Sequence, residues 1–484
     1  MLSRSLYVFL SVYIFVSVVY TSAFLVLCPV LAECSSVFAL RFPSLADIPF
    51  LGRYGAPSGG LMIYEDNADG RSSSGATRLG ETDDLAAHLE AIAADSVLSW
   101  PTHRISPMSS DELGTASRQY LMPESLFLSK AFSNSMHPMK IIPFFYRASE
   151  RFDEDDITIT TLVTSNRFEV LQNLAKRYDG PLSVTVHLPV APDLSPLSAS
   201  STLSKNLTAL HSLLLRSPAL AARADVHVVL SPFPRAFNTW RNVARFLART
   251  TYVLLLDVDF AVCTDWRAPV RALLRAEDGE MARRMRAGSA ALVLPAFEYV
   301  KAEDGRDHKA FPRDKRTLLD LVRARKVAPF HASWAPGHNS TDYKRFYAAR
   351  PGEIYRVTTY QSAYEPYVIV KRDAGGWCDE RFTGYGGNKA ACLFDMYLSG
   401  VSFYVLSDHY LIHQSHAYEE EARRNERKYN RKIYSDFKEE TCLRYLKRFQ
   451  DEGVLNTSRG YNAQEECRKI KGIGKIVTQL LDDQ

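Results

Sequence analysis

Between residues 157 and 294 the chain alternates short apolar segments with amphipathic segments, and this alternation limits the possible folds more than any other feature of the sequence. The apolar segments have the composition of β-strands, whereas the others place apolar residues at the spacing of an α-helix. Strands that alternate with helices predict an α/β domain in which crossover helices connect parallel strands. The predicted strands are residues 157–164, 182–188, 226–230, 252–256 and 290–294, and the predicted helices are residues 167–178, 203–216, 238–247 with Asn238 as the cap, and 268–275.

The fourth predicted strand ends at two carboxylates, Asp257 and Asp259, which are one residue apart. Ligands of open α/β sheets bind beyond the carboxyl ends of the strands. Carboxylate oxygens suit Mg²⁺ or Mn²⁺, and such ions commonly bridge protein carboxylates and substrate phosphates. The pair therefore predicts a divalent metal site, although a turn that ends a core strand would also account for two aspartates.

Two glycine-rich phosphate-binding motifs are missing from the sequence. No G-x-G-x-x-G follows the first predicted strand, and no G-x-x-x-x-G-K-[ST] occurs. Their absence argues against a dehydrogenase and a P-loop enzyme. A nucleotide-sugar transferase of the GT-A type fits better, because such an enzyme neutralises a nucleoside diphosphate with a metal ion.

The N-terminal segment is predicted to be a signal anchor. Residues 5–32 carry no charge and are long enough to cross a bilayer as a helix, with Arg4 before them and Glu33 after them. By the positive-inside rule the amino terminus stays cytoplasmic and the remaining chain is translocated. A cleaved signal peptide is the alternative. Sequons at Asn206, Asn339 and Asn456 agree with a luminal address, and the spacing of the cysteines favours one or two disulfides over a zinc site.

Composition and local sequence divide the chain into four parts. Residues 1–33 are the cytoplasmic tip and anchor, and residues 34–150 are a largely irregular stem, because glycine, serine and proline interrupt any periodicity. Residues 151–450 form the α/β domain and residues 451–484 a C-terminal tail. With 59 basic and 55 acidic residues the net charge is only +4, which argues against nucleic acid as a partner.

Three later blocks resemble glycosyltransferase family 49, the family of the LARGE-type glucuronyltransferase domain. They are residues 364–370 (YEPYVIV), 379–389 (DERFTGYGGNK) and 403–416, which ends in IHQSH, and they follow the pair Arg241 and Asn242. The resemblance covers residues 157–445. It implies a GT-A fold with a mixed central sheet and a single-pass type II Golgi protein. It also implies an inverting transfer from a UDP-sugar, usually UDP-glucuronic acid, to a glycan or glycoprotein acceptor, with Mn²⁺ or Mg²⁺ as the cofactor.

The resemblance, set beside residue chemistry, implies roles for individual residues. The predicted metal ligands are Asp257, Asp259 and His413, with His416 as the second choice of histidine. Asp379 and Glu380 are the candidates for the base that takes the proton of the acceptor hydroxyl. Ion pairs of these two acids with arginine are the alternative, and Asp395 is held in reserve as a base. The predicted substrate-binding residues are Asp257, Arg167, Arg241, Asn242, Arg381, Asn388 and Lys389, and the aromatic faces considered for sugar rings are Trp334, Tyr343 and Trp377.

Two other functions stay open on the sequence alone. One is a retaining UDP-sugar transferase of similar architecture, and the other is a catalytically inactive, membrane-tethered glycan-binding protein. The family members often have histidine at the position of Cys392, so this sequence departs from the family at a residue close to the predicted substrate-binding block.

Overall fold

A computed structural model describes residues 97–101, 119–123, 139–190, 201–416 and 420–482. The predicted signal anchor and most of the predicted stem lie outside these ranges. Within them, no helix has the length and apolar character needed to span a membrane.

Strands and helices follow one another along most of the described residues. The strands, in chain order, are β1 Val97–Pro101, β2 Gln119–Pro123, β3 Lys140–Tyr146, β4 Ile157–Thr164, β5 Leu182–Pro189, β6 Ala224–Ser231, β7 Tyr252–Leu255, β8 Phe260–Val262, β9 Ala290–Leu294, β10 Ala296–Tyr299, β11 Val327–Pro329, β12 Ile354–Arg356, β13 Tyr367–Lys371, β14 Ser402–Leu406 and β15 Leu411–His413. The helices are α1 Phe168–Arg177, α2 Ser201–Arg216, α3 Pro218–Arg223, α4 Phe237–Phe246, α5 Arg267–Arg275, α6 Glu280–Arg286, α7 Lys315–Arg323, α8 Tyr343–Ala348, α9 Asn388–Leu398, α10 Glu420–Asp451, α11 Tyr461–Cys467 and α12 Ile473–Asp482.

The main sheet runs in the order β12-β14-β9-β13-β7-β4-β5-β6-β3. The predicted strands β4 to β7 pair in parallel, and β14 pairs in parallel with β9. β13 lies antiparallel between β7 and β9, so these two strands are not neighbours. The structure confirms the predicted α/β class and the mixed central sheet.

β7 and β9 are apolar along their whole length because both faces of the sheet are covered there. In β7 the side chains alternate: Val253 and Leu255 belong to one hydrophobic cluster, while Tyr252 and Leu254 belong to another. Helices α9, α10 and α12 contribute to the first cluster, and α1, α2 and α5 contribute to the second. The sheet therefore forms the middle layer of the domain and fixes where its strand ends lie.

A second, smaller sheet has the order β11-β10-β15-β8. β15 lies between β10, with which it is parallel, and β8, with which it is antiparallel. Because β7 and β8 are joined by residues 256–259, this small sheet continues directly from the strand that ends at the two aspartates.

Three local features differ from the sequence-based expectations. β3, in the segment assigned to the stem, pairs with β6 at the edge of the main sheet. α11 and α12, in the segment assigned to the tail, bury Cys467, Ile473 and Val477 in the core. Asn238 is not the cap of α4 but lies inside it, where its buried amide donates to the carbonyls of Asp379 and Asn388.

Two disulfides lie within the described residues. Cys378 is bonded to Cys392, and Cys442 is bonded to Cys467, whereas Cys263 is a buried thiol. The first bond connects the loop before Asp379 to α9. The second connects α10 to α11.

Candidate active site

Asp257 and Asp259 lie in the connection between β7 and β8. β15 pairs with β8 so that His413 is opposite Phe260, and the amide of Gln414 donates to the carbonyl of Asp259 over 2.8 Å. This register brings His413 beside Asp259. It also brings His416, three residues further on, to the same carboxylate.

Asp259, His413 and His416 form a compact cluster. Oδ2 of Asp259 is 2.9 Å from Nε2 of His416 and 3.5 Å from Nε2 of His413, and the three ligand atoms lie within 4.8 Å of one another. Burial disfavours the ionised form of Asp259, but hydrogen bonds and charge from the two histidines outweigh it and hold the pKa of this carboxyl well below its usual range. One carboxylate with two imidazoles fits Mn²⁺ better than Mg²⁺, which prefers oxygen ligands.

Asp257 faces a different set of partners. Its Oδ1 accepts a hydrogen bond from Nη2 of Arg241 at 3.1 Å, and its Oδ2 is 3.1 Å from the hydroxyl of Tyr367 and 3.3 Å from Nζ of Lys389. Burial opposes ionisation, yet the charges of Lys389 and Arg241 keep the pKa of Asp257 below its usual value. The structure thus brings Asp257 to two cations and a phenol, next to the Asp259 cluster but outside it.

Lys389 is enclosed as well as charged. It lies in the first turn of α9, its ammonium is 3.1 Å from the centroid of the Tyr367 ring, and burial lowers its pKa. The nearby carboxyl of Glu365 has a pKa that burial raises. The YEPYVIV segment carries part of the family resemblance, but the sequence assigns no site role to Tyr367 or Glu365, because their contacts depend on the pairing of β13 with β7.

Arg241 and Asn388, both predicted to bind substrate, contact each other. Nη1 of Arg241 donates to Oδ1 of Asn388 at 2.7 Å and to Oδ1 of Asn238 at 2.9 Å. Nδ2 of Asn388 donates to the carbonyl of Gly384 at 2.7 Å. The guanidinium is therefore held by amides on one side while it reaches Asp257 on the other.

Asn242 is placed in the scaffold of the loop that carries the base candidates. It is buried, and its amide group accepts from the backbone N–H of Cys378 at 3.0 Å and donates to the carbonyl of Cys378 at 2.8 Å. It also donates to Oε1 of Glu380 at 2.7 Å. All three contacts are to Cys378 and Glu380, so the side chain of Asn242 holds this loop in position.

Asp379 is paired with Arg381. The guanidinium approaches the carboxylate oxygens of Asp379 at 2.7 to 3.1 Å and also reaches Glu440 on α10 at 2.7 Å. This is the ion pair that the sequence left open as an alternative. The reserve candidate Asp395 is buried against Arg444 and Tyr445, and burial raises its pKa.

The glycine-rich loop of residues 383–387 lies against the start of α10. Asn430 donates to the carbonyls of Thr383 and Tyr385 at 2.9 Å in both cases, and Glu426 accepts from the amide of Tyr385. The guanidinium of Arg423 is 4.3 Å from the centroid of the Tyr385 ring. Burial raises the pKa of Tyr385. Arg167 lies at the carboxyl end of β4, which it follows by three residues.

The three aromatic residues considered for sugar stacking differ in exposure. Tyr343 is buried and donates to the carbonyl of Ala296, and Trp377 lies under the guanidinium of Arg245 at 4.5 Å. Trp334 is 60% exposed. Only Trp334, among these three, presents a large open face.

Comparison with known proteins places the chain in a family. A family model described as "Glycosyl-transferase for dystroglycan" matches residues 156–238 and 231–446. The chain belongs to this family, glycosyltransferase family 49. The matched range contains the aspartates, the histidine cluster, Lys389 and the Asp379 loop.

Two relatives carry the name of a xylosyl- and glucuronyltransferase. LARGE2 of Rattus norvegicus is 35% identical over 269 residues, which are 54% of this chain and 35% of that protein. LARGE1 of Homo sapiens is 27% identical over 289 residues, which are 58% of this chain and 34% of that protein. The similarity therefore spans about a third of each relative's length.

Among solved structures, a crystal structure of GalNAc-T7 with UDP, GalNAc and Mn²⁺ aligns with 54% of this chain and 44% of that chain. The TM-score is 0.31 and the sequence identity is 13%. A likeness of this size carries no argument about this family 49 member.

Proposed function

We propose that the protein is a metal-dependent, inverting GT-A glycosyltransferase that transfers a sugar, most simply glucuronic acid, from a UDP donor to a glycan or glycoprotein acceptor. The observation that carries this proposal is that two clusters of charged side chains lie next to each other at the end of β7. Asp259 lies with two histidines, and Asp257 lies with Arg241 and Lys389. Family membership and the xylosyl- and glucuronyltransferase names of the relatives support it.

Each half of the site has a distinct task in this proposal. Asp259, His413 and His416 would hold Mn²⁺, which supplies charge that stabilises a departing diphosphate. Arg241 and Lys389 supply fixed positive charge beside it, and Asp257 holds both cations in place. The donor's diphosphate would therefore meet protein cations as well as the metal site.

The base of the inverting displacement comes from the Asp379–Glu380 segment in this proposal. Arg381 forms an ion pair with the carboxylate of Asp379, whereas Asn242 donates a hydrogen bond to one carboxylate oxygen of Glu380. Asp379→Asn and Glu380→Gln should therefore be assayed separately with saturating donor. Loss of kcat in one variant, with donor KM unchanged, would identify the base, and normal kcat in both would place the base elsewhere.

The proposal is tested by a donor screen. Purified protein is incubated with Mn²⁺ and either UDP-glucuronic acid, UDP-xylose or another UDP-sugar, and release of UDP is measured with a glycan acceptor. Asp259→Ala should abolish metal-dependent turnover, while Asp278→Ala, which removes an exposed carboxylate from the loop before α6, should leave it intact. Full turnover of Asp259→Ala in excess chelator would contradict the metal role.

The same experiment separates the remaining alternatives. The anomeric configuration of the product, read by NMR, distinguishes an inverting from a retaining enzyme. Binding of an acceptor glycan without turnover of any UDP-sugar would instead favour the catalytically inactive glycan-binding protein.

We further propose a Golgi location, with residues 5–32 as the anchor and the catalytic domain in the lumen. The exposed sequons at Asn339 and Asn456 give a test. In secretory cells, a glycosidase that removes N-glycans should increase the mobility of the protein, and Asn456→Gln should change the starting mobility. A chain that never acquires glycans and stays accessible to cytosolic protease would contradict this location.

A further inference from the structure

We propose that the Cys378–Cys392 disulfide is a positioning element of the active site, which holds the Asp379–Glu380 segment against α9. Its functional readout rests on the glycosyltransferase activity proposed above. Cys378 directly precedes Asp379, and Cys392 lies on the same helix as Asn388 and Lys389. The bond therefore joins the segment that carries the base candidates to the helix that carries a cation of the donor side.

The position of Cys392 ties the bond to the site itself. Cys392 lines a small cavity together with Arg241, Asp257 and Lys389. Both cysteines are buried. The covalent link is thus part of the wall that faces the charged groups around Asp257.

The segment that the bond holds has little regular structure of its own. Residues 372–387 contain neither helix nor strand, so no ladder of backbone hydrogen bonds fixes their position. By contrast, α9 is buried along its entire length and is anchored by its own packing. A link between the two should therefore restrain the segment more than the helix.

Close packing shows how tightly the segment approaches α9. A Cβ added at Gly376 would lie 1.7 Å from Oδ1 of Asp395, and one added at Gly375, where φ is +73°, would lie 2.9 Å from Met396. Only glycine can occupy these two positions at this separation. The disulfide closes the same interface two residues later.

Hydrogen bonds from α4 add to the restraint, and Arg245 on this helix donates to carbonyls of residues 372, 374 and 376. Asn242 binds the backbone N–H and C=O of Cys378 as well as Glu380, and Asn238 donates to the carbonyls of Asp379 and Asn388. These bonds hold the segment against α4, and contacts with Asn430 and Glu426 hold its later part against α10. The disulfide is the covalent link between the Cys378 end of the segment and α9, so its loss leaves that end held by α4 alone among these supports.

The consequence is specific to one part of the site. Asp259, His413 and His416 lie on the β7–β8 connection and on the segment that starts with β15, so the disulfide does not restrain them. Loss of the bond should therefore lower kcat while metal and UDP binding change little. Displacement of a catalytic group by about 1 Å lowers the rate by about a hundredfold, so we expect kcat to fall by about ten- to a hundredfold.

The test compares two double variants. Cys378→Ser/Cys392→Ser removes the proposed positioning bond, and Cys442→Ser/Cys467→Ser removes the bond between α10 and α11 as the matched control. The second disulfide closes a loop of 25 residues and the first a loop of 14, so the control should lose at least as much thermal stability. At a temperature where both are folded, only the first variant should lose kcat, with UDP affinity in Mn²⁺ within about twofold of wild type, a difference well below the 1.4 kcal/mol of a tenfold change.

Hydrogen exchange gives a second readout that does not depend on activity. Amides of residues 372–387 should exchange faster in Cys378→Ser/Cys392→Ser, whereas amides of β8 and β15 should keep their protection. Equal kcat in the two double variants, or unchanged exchange in residues 372–387, would show that the bond has only a structural role. If wild-type protein turns over no UDP-sugar, the proposed function fails, and the exchange experiment alone decides this inference.

Discussion

Replacing Asn242 with alanine should destabilise the folded protein by roughly 3–9 kcal/mol, because three buried groups lose their hydrogen-bond partner at once. The side chain binds the N–H of Cys378 at 3.0 Å, the C=O of Cys378 at 2.8 Å and Oε1 of Glu380 at 2.7 Å. A buried group left without a partner costs about 1–3 kcal/mol, and more when it is charged. Since domains are stable by about 5–15 kcal/mol in total, this loss is large.

Urea unfolding followed by fluorescence measures the change, with the slope m checked for constancy. Asn462→Ala is the matched control: it removes two buried bonds of 3.0 Å, to the carbonyls of Tyr397 and Val401, far along the chain from the aspartates. We expect roughly 2–6 kcal/mol of destabilisation for it and an unchanged kcat. A change below about 1 kcal/mol for Asn242→Ala, together with a tenfold rise in donor KM, would refute the scaffold role and restore Asn242 as a donor ligand.

Two further predictions concern acid stability and metal affinity. Burial lowers the pKa of His227 to about 3, so between pH 6.5 and 3 the unfolded chain binds a proton that the folded chain does not. The contribution of His227 to stability should fall by about 1.4 kcal/mol for each pH unit between 6.5 and 3, and His227→Asn should reduce the measured slope by that amount in urea titrations, whereas equal slopes would contradict it. For the metal, His416→Ala should weaken Mn²⁺ binding at least about tenfold, whereas Asp257→Asn should weaken it less because Asp257 lies outside the cluster. Isothermal titration with Mn²⁺ measures both, and the reverse ranking would show that Asp257 is the stronger ligand.

The strands that sequence predicts best are those whose signal is local. β4 and β9 have the predicted bounds because β4 consists of β-branched and apolar residues throughout and β9 is an uninterrupted apolar segment. β3 escapes prediction because Pro143 interrupts its pattern, and proline is tolerated there only because β3 is an edge strand with a register irregularity. β13 pairs with both β7 and β9. β7 and β13 are more than a hundred residues apart in the chain, so no local sequence pattern predicts that they are neighbours.

For the site, the sequence predicts which types of residue are present but not which partner each side chain contacts. The sequence identifies acids, histidines and cations of the right chemistry, and the structure brings Asp259, His413 and His416 together. The sequence does not reveal that Asp257 turns to Lys389, because that depends on how α9 and β13 pack against the end of β7. Which partner a side chain has is set by long-range packing rather than by the residues beside it.

The charge of the site explains why two aspartates and two cations occur together. The two negative charges of Asp257 and Asp259 are matched by the two positive charges of Arg241 and Lys389. Without a metal, such a balanced set of charges would attract a diphosphate only weakly, whereas a divalent cation held by Asp259 and the histidines would add two positive charges. Because Asp257 already contacts Arg241 and Lys389, we expect that excess to stay available to the donor of the proposed transfer. We therefore expect strong binding of a nucleoside diphosphate to depend on the metal, and we assign that dependence to the Asp259 half of the site.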